Sequence, residues 1–167
     1  KALSTYGIEH RFVHLDSSSF HLHGQYDVET SDEEMITITH GYSRDHRPDL
    51  KQVVAQIITS HKSNLPVWLE VLSGNSSDKE SFAKTVKAYC QHLKDKKQPY
   101  FVMDSAGYSE TNLKTLQNML WLMRVPETLA EAKHLVRETD RAQMTELEPG
   151  YWGKEVKSPT FRTPKTA

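Results

Sequence analysis

The chain has 167 residues, 37% hydrophobic and 26% charged, which allows one domain with a buried core and excludes a fibre, a disordered chain or a disulfide scaffold. Its 21 lysines and arginines stand against 22 aspartates and glutamates, so it lacks the broad basic surplus of a simple nucleic-acid coat, and DNA contacts have to come from local patches. No apolar run approaches the ~20 residues of a membrane span, no signal-peptide core opens the sequence, and the single cysteine, Cys90, has no partner within the chain; a cytoplasmic protein without membrane contact is expected.

The first strong pattern is residues 11–20, where Phe12, Val13 and Leu15 form an apolar run that ends at Asp16 and the cluster Ser17-Ser18-Ser19. This predicts a buried strand with a polar tip. Residues 24–34 form a polar, acidic connector, and residues 35–39 alternate with the period of a second strand. The charge-dense stretch 41–50 is punctuated by Pro48. Residues 52–59 and 66–72, rich in Val, Ile, Leu and Trp and separated by turn formers, predict an antiparallel hairpin.

Ser77 or Asp78 can cap a helix over 79–94, with Phe82, Val86, Tyr89, Cys90 and Leu93 recurring at three- and four-residue steps. Pro99 forbids its continuation. Residues 100–103 form a short buried strand that ends in Asp104. Ser109 caps a helix to about residue 118, residues 119–125 form another strand, and Pro126 opens a helix over 127–138. The order, an antiparallel front followed by alternating helix and strand, predicts an α/β fold with helices packed on a mixed sheet. The tail from Lys157 has little to bury, and both ends read as cut.

Two stretches match each other: Phe12-Val13-His14-Leu15-Asp16-Ser17 and Phe101-Val102-Met103-Asp104-Ser105. Each is an apolar strand that delivers Asp-Ser. A carboxylate there is costly unless it is hydrogen-bonded, exposed or bound to a cation. On parallel neighbouring strands, ~4.8 Å apart, the two would emerge side by side. A hard divalent cation resolves their repulsion, and Mg2+ held by one or two carboxylates with water and phosphate oxygens suits phosphoryl transfer. Asp before Ser is also ordinary turn chemistry, and periodicity leaves the strand order open.

The sequence resembles the catalytic region of bacterial insertion-sequence transposases of the DDE class, in the branch with a β-rich insertion in its ribonuclease-H-like fold. The stretches that carry the resemblance are His14-Leu15-Asp16-Ser17-Ser18-Ser19-Phe20, Gly41-Tyr42-Ser43-Arg44-Asp45-His46-Arg47-Pro48-Asp49-Leu50-Lys51-Gln52, Gly74-Asn75-Ser76-Ser77-Asp78 and Val102-Met103-Asp104-Ser105-Ala106. Together they span residues 8–136. The resemblance implies a ribonuclease-H-like mixed sheet, three antiparallel strands then alternating helix and strand, incomplete at the C-terminus. Residues 8–138 would be a partial catalytic core and 139–167 the start of the insertion or a disordered tail.

It further implies that Asp16 and Asp104 are the first and second acidic ligands for Mg2+ or Mn2+. DNA, as transposon ends and target, is the implied partner, with a homodimer in the full-length parent. Members of this class place their third acid, a Glu, within Tyr-x2-Arg-x3-Glu-x6-Lys on a later helix. No tyrosine here begins that pattern. Glu131 and Glu138 lie on a predicted helix, but the resemblance places that helix before the insertion. The chain alone is therefore expected to be inactive or nearly so. A self-contained ribonuclease-H-like nuclease and a non-catalytic remnant that binds DNA or a partner are the alternatives.

Arg44, Arg47 and Lys51 are the candidate phosphate contacts, set against a solvated loop with local Arg–Asp pairing. Lys87, Lys94, Lys96 and Lys97 suggest a solvated helix face, and Lys154, Lys157, Arg162 and Lys165 either DNA contacts or a truncated linker. His14, His21 and His23 near Asp16 raise a zinc site, which needs converging ligands. His21 and His23 are expected to decorate an exposed strand end, and His14 to sit beside the metal-bound carboxylate. Trp68 and Trp121 are expected in the core, while Trp152, between Gly150 and Gly153, is open enough to stack on a base.

Overall fold

The computed structural model describes residues 5–26, 35–43, 45–93 and 97–156. Two compact units divide the chain, residues 1–124 and 125–167.

The first unit is built on a five-stranded sheet of order β3-β2-β1-β4-β5. Strand β1 (Phe12–Leu22) pairs antiparallel with β2 (Lys51–Ser60), which pairs antiparallel with β3 (Pro66–Ser73). Helix α1 (Asp78–Leu93) then crosses to β4 (Tyr100–Met103), parallel to β1 on its other side. A 3-10 turn (Ser105–Gly107) and the short helix α2 (Glu110–Thr115) lead to β5 (Trp121–Met123), parallel to β4. Three antiparallel strands followed by alternating helix and strand is the ribonuclease-H-like mixed sheet implied by the resemblance.

Alternation along the strands sorts the side chains into two faces. Val13, Leu15, Ile58, Phe101 and Met103 are buried against Phe82, Val86, Tyr89 and Leu93 of α1 and Leu116 after α2, forming one cluster. Trp68 and Trp121 pack against it, as the sequence indicates. The opposite face carries Phe20, Leu69, Val71 and Leu122, all exposed. Burying aliphatic and aromatic groups on one face at roughly 25 cal/mol per Å2 is the main source of stability.

The elements depart from the sequence reading at identifiable places. Strand β1 runs two residues past the 11–20 pattern, to Leu22, because ten residue pairs with β2 satisfy its backbone. Residues 35–39, expected as a strand, form only one bridge, Thr39 to Gln52. Their other backbone bonds go to the end of β3, with Thr37 N donating to Ser73 Oγ and Gly74 N to Thr37 O. Helix α2 is capped by Ser109 Oγ, which accepts from Asn112 N, yet it ends at Thr115, and β5 is only three residues long.

In the second unit, α3 (Ala130–Glu138) begins after Leu129 with no side-chain cap, a turn later than Pro126 suggested. A 3-10 turn (Arg141–Gln143) follows. The strands β6 (Thr145–Glu148) and β7 (Tyr151–Gly153) pair as an antiparallel hairpin whose tip holds Gly150 at φ 85, a conformation natural to glycine. Within residues 125–156, Arg141 stacks its guanidinium over Trp152 at 5.0 Å, and that indole is 41% exposed.

Candidate metal centre

The parallel pairing of β1 with β4 matches Phe12 to Tyr100, Val13 to Phe101 and His14 to Val102. Asp16 and Asp104 each follow the last paired residue of their side, His14 and Val102, by two positions, so both come at the same end of the two strands. Where paired, the strands run about 4.8 Å apart. β1 and β4 are thus parallel neighbours, the arrangement that sequence periodicity left open.

Both residues are exposed. Each has one carboxylate oxygen fixed by a local amide: Ser17 N donates to Asp16 Oδ1 at 2.8 Å, and Ala106 N donates to Asp104 Oδ1 at 2.8 Å. No other protein donor bonds either carboxylate among the described residues. Asp16 sits within a strand opposite Ile57 of β2, whereas Asp104 caps the 3-10 turn that follows β4. Hard, exposed carboxylate oxygens with little protein competition fit a hard divalent cation such as Mg2+.

Among the described residues no group of three or more His, Cys, Asp or Glu side chains is placed to hold a metal ion. Glu131 lies in the first turn of α3 and Glu138 at its end. His14 shares the open face of β1 with Asp16, but its Nε2 lies 3.1 Å from His61 Nδ1, with the rings stacked at 5.4 Å. His21 is not a bare surface group. Its Nε2 is 3.0 Å from Ser43 Oγ, its Nδ1 is 3.4 Å from Asp45 Oδ2, and its side chain is only 12% exposed. This happens because β1 extends past the serines, so that His21 faces the incoming loop. His23 is exposed.

That loop carries the cation candidates. Arg44 lies outside the described residues. Arg47 N donates to Ser43 Oγ at 2.7 Å, while its Nε and Nη2 donate to Asp49 Oδ1 and Oδ2 at 2.9 and 2.7 Å. This bidentate guanidinium holds the Asp49 carboxyl down to about 2. Lys51 opens β2 opposite Leu22, on the same sheet face as Asp16. Lys94, Lys96, Lys157, Arg162 and Lys165 lie outside the described residues, and Lys154 donates to Gln143 Oε1 at 2.6 Å. Burial pushes the Cys90 thiol up, which makes a reactive thiolate less available.

Sequence reasoning missed a row of polar side chains under Asp16 on the covered face. Ser17 stands opposite Gln56, and Gln56 opposite Glu70. Ser17, Gln56 and Thr85 are each no more than 1% exposed, and Ser81 is 9% exposed. The available signal was Gln52 and Gln56 recurring four apart in a strand whose same-phase neighbours are Val54 and Ile58.

The sequence matches the family described as the transposase DDE domain over residues 8–162. No curated protein sequence matches the chain. Among solved structures, the chain is similar to the Mos1 mariner paired end complex with Mn, at 13% identity and TM-score 0.43, covering 82% of this chain and 45% of that one. It is similar to the Mos1 strand transfer complex at 15% identity and TM-score 0.43, covering 75% and 38%. A synaptic complex of piggyBac transposase with hairpin DNA gives 7% identity and TM-score 0.50, covering 77% and 26%. The chain thus spans less than half the length of each of these, and the piggyBac likeness bears on the fold alone.

Proposed function

The chain belongs to the transposase DDE domain family, and from that premise we propose that Asp16 and Asp104 hold the Mg2+ or Mn2+ with which the parent protein cleaves and joins DNA ends. The observation that supports this reading is that the two aspartates each follow, by two residues, the last paired residues of adjacent parallel strands, and each has one oxygen fixed by a backbone amide.

The chain's own contribution is positional. Strand β1 holds Asp16 through its pairing with β2, and the 3-10 turn aims Asp104 through Ala106 N, which donates to Asp104 Oδ1. Bound there, a divalent cation would polarise a phosphate oxygen and lower the pKa of an attacking water. DNA is the substrate class, with Lys51 and the 41–50 loop as phosphate contacts at the edge of the sheet. No group of three or more His, Cys, Asp or Glu side chains is placed to hold a metal among the described residues, which leaves the proposed pair without a third ligand there. Alignment of a phosphate for in-line attack needs more anchoring than that, so the 167-residue chain binds metal without cleaving DNA efficiently.

Calorimetric titration with Mn2+ tests the reading. The unmodified chain is expected to bind, and Asp16→Asn and Asp104→Asn to bind at least about tenfold more weakly. Equal binding by all three proteins would refute it. Nuclease activity of the 167-residue chain that disappears in Glu131→Gln would favour a self-contained nuclease.

A further inference from the structure

Helix α1 touches both halves of the candidate metal centre, and one buried amide ties it to the sheet. Gln56 is 0% exposed and lies across the β1–β2 ladder from Ser17, the residue whose N–H fixes Asp16. Its Nε2 donates to Ser81 Oγ, and its Oε1 accepts from Thr85 Oγ1, each at 2.5 Å. Ser81 and Thr85 are one turn apart on α1 and so face the sheet together. Ser81 Oγ donates onward to Ser77 O at 2.8 Å, and the Thr85 hydroxyl also lies 2.8 Å from Glu70 Oε2 on β3. The side chains thus clasp the first half of α1 to β2 and β3.

That same half of α1 supports the turn that bears Asp104. Phe82, adjacent to Ser81, is 1% exposed and packs so close to Gly107 that a Cβ there would lie 3.3 Å from Phe82 Cδ2. The carbonyl of Gly107 also accepts from Asn112 Nδ2 at 3.1 Å, within the buried interior. Gly107 closes the turn in which Ala106 N fixes Asp104. A rotation or slide of α1 would therefore shift the Asp104 turn while leaving β1 in place. Van der Waals packing alone resists such a slide weakly, because apolar contacts have no direction, whereas the paired bonds of a primary amide do.

We propose that Gln56 is a positioning residue for the Asp16–Asp104 pair, keeping the two carboxylates in fixed relation by locking α1 through Ser81 and Thr85. The inference rests on the reading of those aspartates as the metal pair. Gln56 touches neither substrate nor metal; it acts through the helix.

The test compares the unmodified chain with Gln56→Leu and with the triple variant Gln56→Leu, Ser81→Ala, Thr85→Val, in which the clasp is replaced by apolar groups of similar shape. Replacing Gln56, Ser81 and Thr85 together strands no buried donor and leaves the acceptors Glu70 Oε2, on a side chain that is not fully buried, and Ser77 O, so the triple variant is expected to melt within a few degrees of the unmodified chain. Its affinity for Mn2+ is nevertheless expected to fall about tenfold. Its amide resonances for Ser17 and Ala106, the two N–H groups bonded to the carboxylates, are expected to move relative to one another. A triple variant with native stability, native Mn2+ affinity and unmoved Ser17 and Ala106 resonances would overturn the proposal and leave Gln56 a packing residue. If that variant fails to fold, Ser81→Ala, which removes the bonds to Gln56 Nε2 and Ser77 O but little volume, gives the same readout. Weaker Mn2+ binding with displaced amides supports the proposal, and native values for both overturn it. If Asp16→Asn binds Mn2+ as well as the unmodified chain, the metal reading fails instead, and the two amide resonances still decide whether Gln56 positions the pair.

Discussion

Asp16 lies within β1 and Asp104 just past β4, each two residues beyond the last β1–β4 pair, and the two are held in different ways. Asp16 is fixed by its pairing with Ile57 of β2, whereas Asp104 belongs to a turn that it caps itself. Metal-free stability should expose this difference. Asp104→Ala loses the acceptor for Ala106 N and is expected to cost about 1 kcal/mol, the usual range for a lost cap. Asp16→Ala also loses an acceptor, for Ser17 N, but its backbone stays held by the β2 ladder, so it is expected to cost less than Asp104→Ala. Urea denaturation of both variants in the presence of a chelator checks the order.

Metal linkage supplies the second prediction. A cation that binds only the folded chain stabilises it by about 2.7 kcal/mol when present at a hundred times its dissociation constant. The melting temperature of the unmodified chain should therefore climb with Mg2+ or Mn2+, and that of the Asp16→Asn, Asp104→Asn double variant should not. Thermal melts across a metal series read this out. A double variant that climbs in parallel would mean that the cation binds elsewhere.

The sheet and the aspartate pair were legible because each core strand is an apolar run with a period or a boundary that local chemistry marks. Their adjacency was not, since β1 and β4 lie far apart in sequence and pairing is a tertiary fact. The polar half of β1 was legible only as the tip of a strand, for a related reason. Ser17, Ser18 and Ser19 favour turns locally, yet β2 offers a full set of partners and overrides that preference. Residues 35–39 failed the other way. Their alternation suits a strand, but the chain meets β2 only at Thr39, next to the close approach of Gly41 and Gly74. His21 was read as surface because its partners, Ser43 and Asp45, arrive from a loop whose path the sequence does not specify.

That close approach gives the third prediction. A Cβ on Gly74 would run into the carbonyl oxygens of Gln52 and Thr39, and backbone atoms cannot swing aside as a flexible side chain can. Gly74→Ala is expected to destabilise by about 2 kcal/mol or more, the scale of overpacking a tight site. It should also release residues 35–43, because Gly74 N donates to Thr37 O and Gly74 O accepts from Gln52 Nε2. Hydrogen exchange at Thr37 and Thr39 would show faster opening. Unchanged exchange would mean that the segment is held by other contacts.

Tyr89 gives a pH prediction. Burial, with a smaller contribution from Cys90, pushes its phenol up from 10.0 to about 12. The folded chain thus favours the neutral phenol, so this group leaves stability level below pH 10 and erodes it as pH rises from 10.0 toward about 12. Thermal melts through the alkaline range should show a decline that is smaller in Tyr89→Phe. The phenylalanine also loses the contact with His10 Nε2, 2.6 Å from the hydroxyl, so its baseline at neutral pH is expected to be lower.

If the 41–50 loop contacts DNA as proposed, the Arg47–Asp49 pair sets the charge that it presents. The guanidinium holds Asp49 down to about 2, from an ordinary 3.8, so the ionised pair is complete above pH 3.8 and is lost only as pH falls toward 2. At neutral pH a phosphate therefore has to share Arg47 with an internal carboxylate that already occupies Nε and Nη2. Both groups are exposed, so the pair is open to competition from solvent and salt. If Asp49 acts chiefly as a competitor, Asp49→Asn should tighten binding to duplex DNA and steepen its salt dependence by about one phosphate contact. Arg47→Ala should weaken binding with a shallower salt dependence. Fluorescence anisotropy over a salt series separates this from the opposite arrangement. Weaker binding by Asp49→Asn would show that the carboxylate instead orients the guanidinium so that its remaining N–H donors face the phosphate.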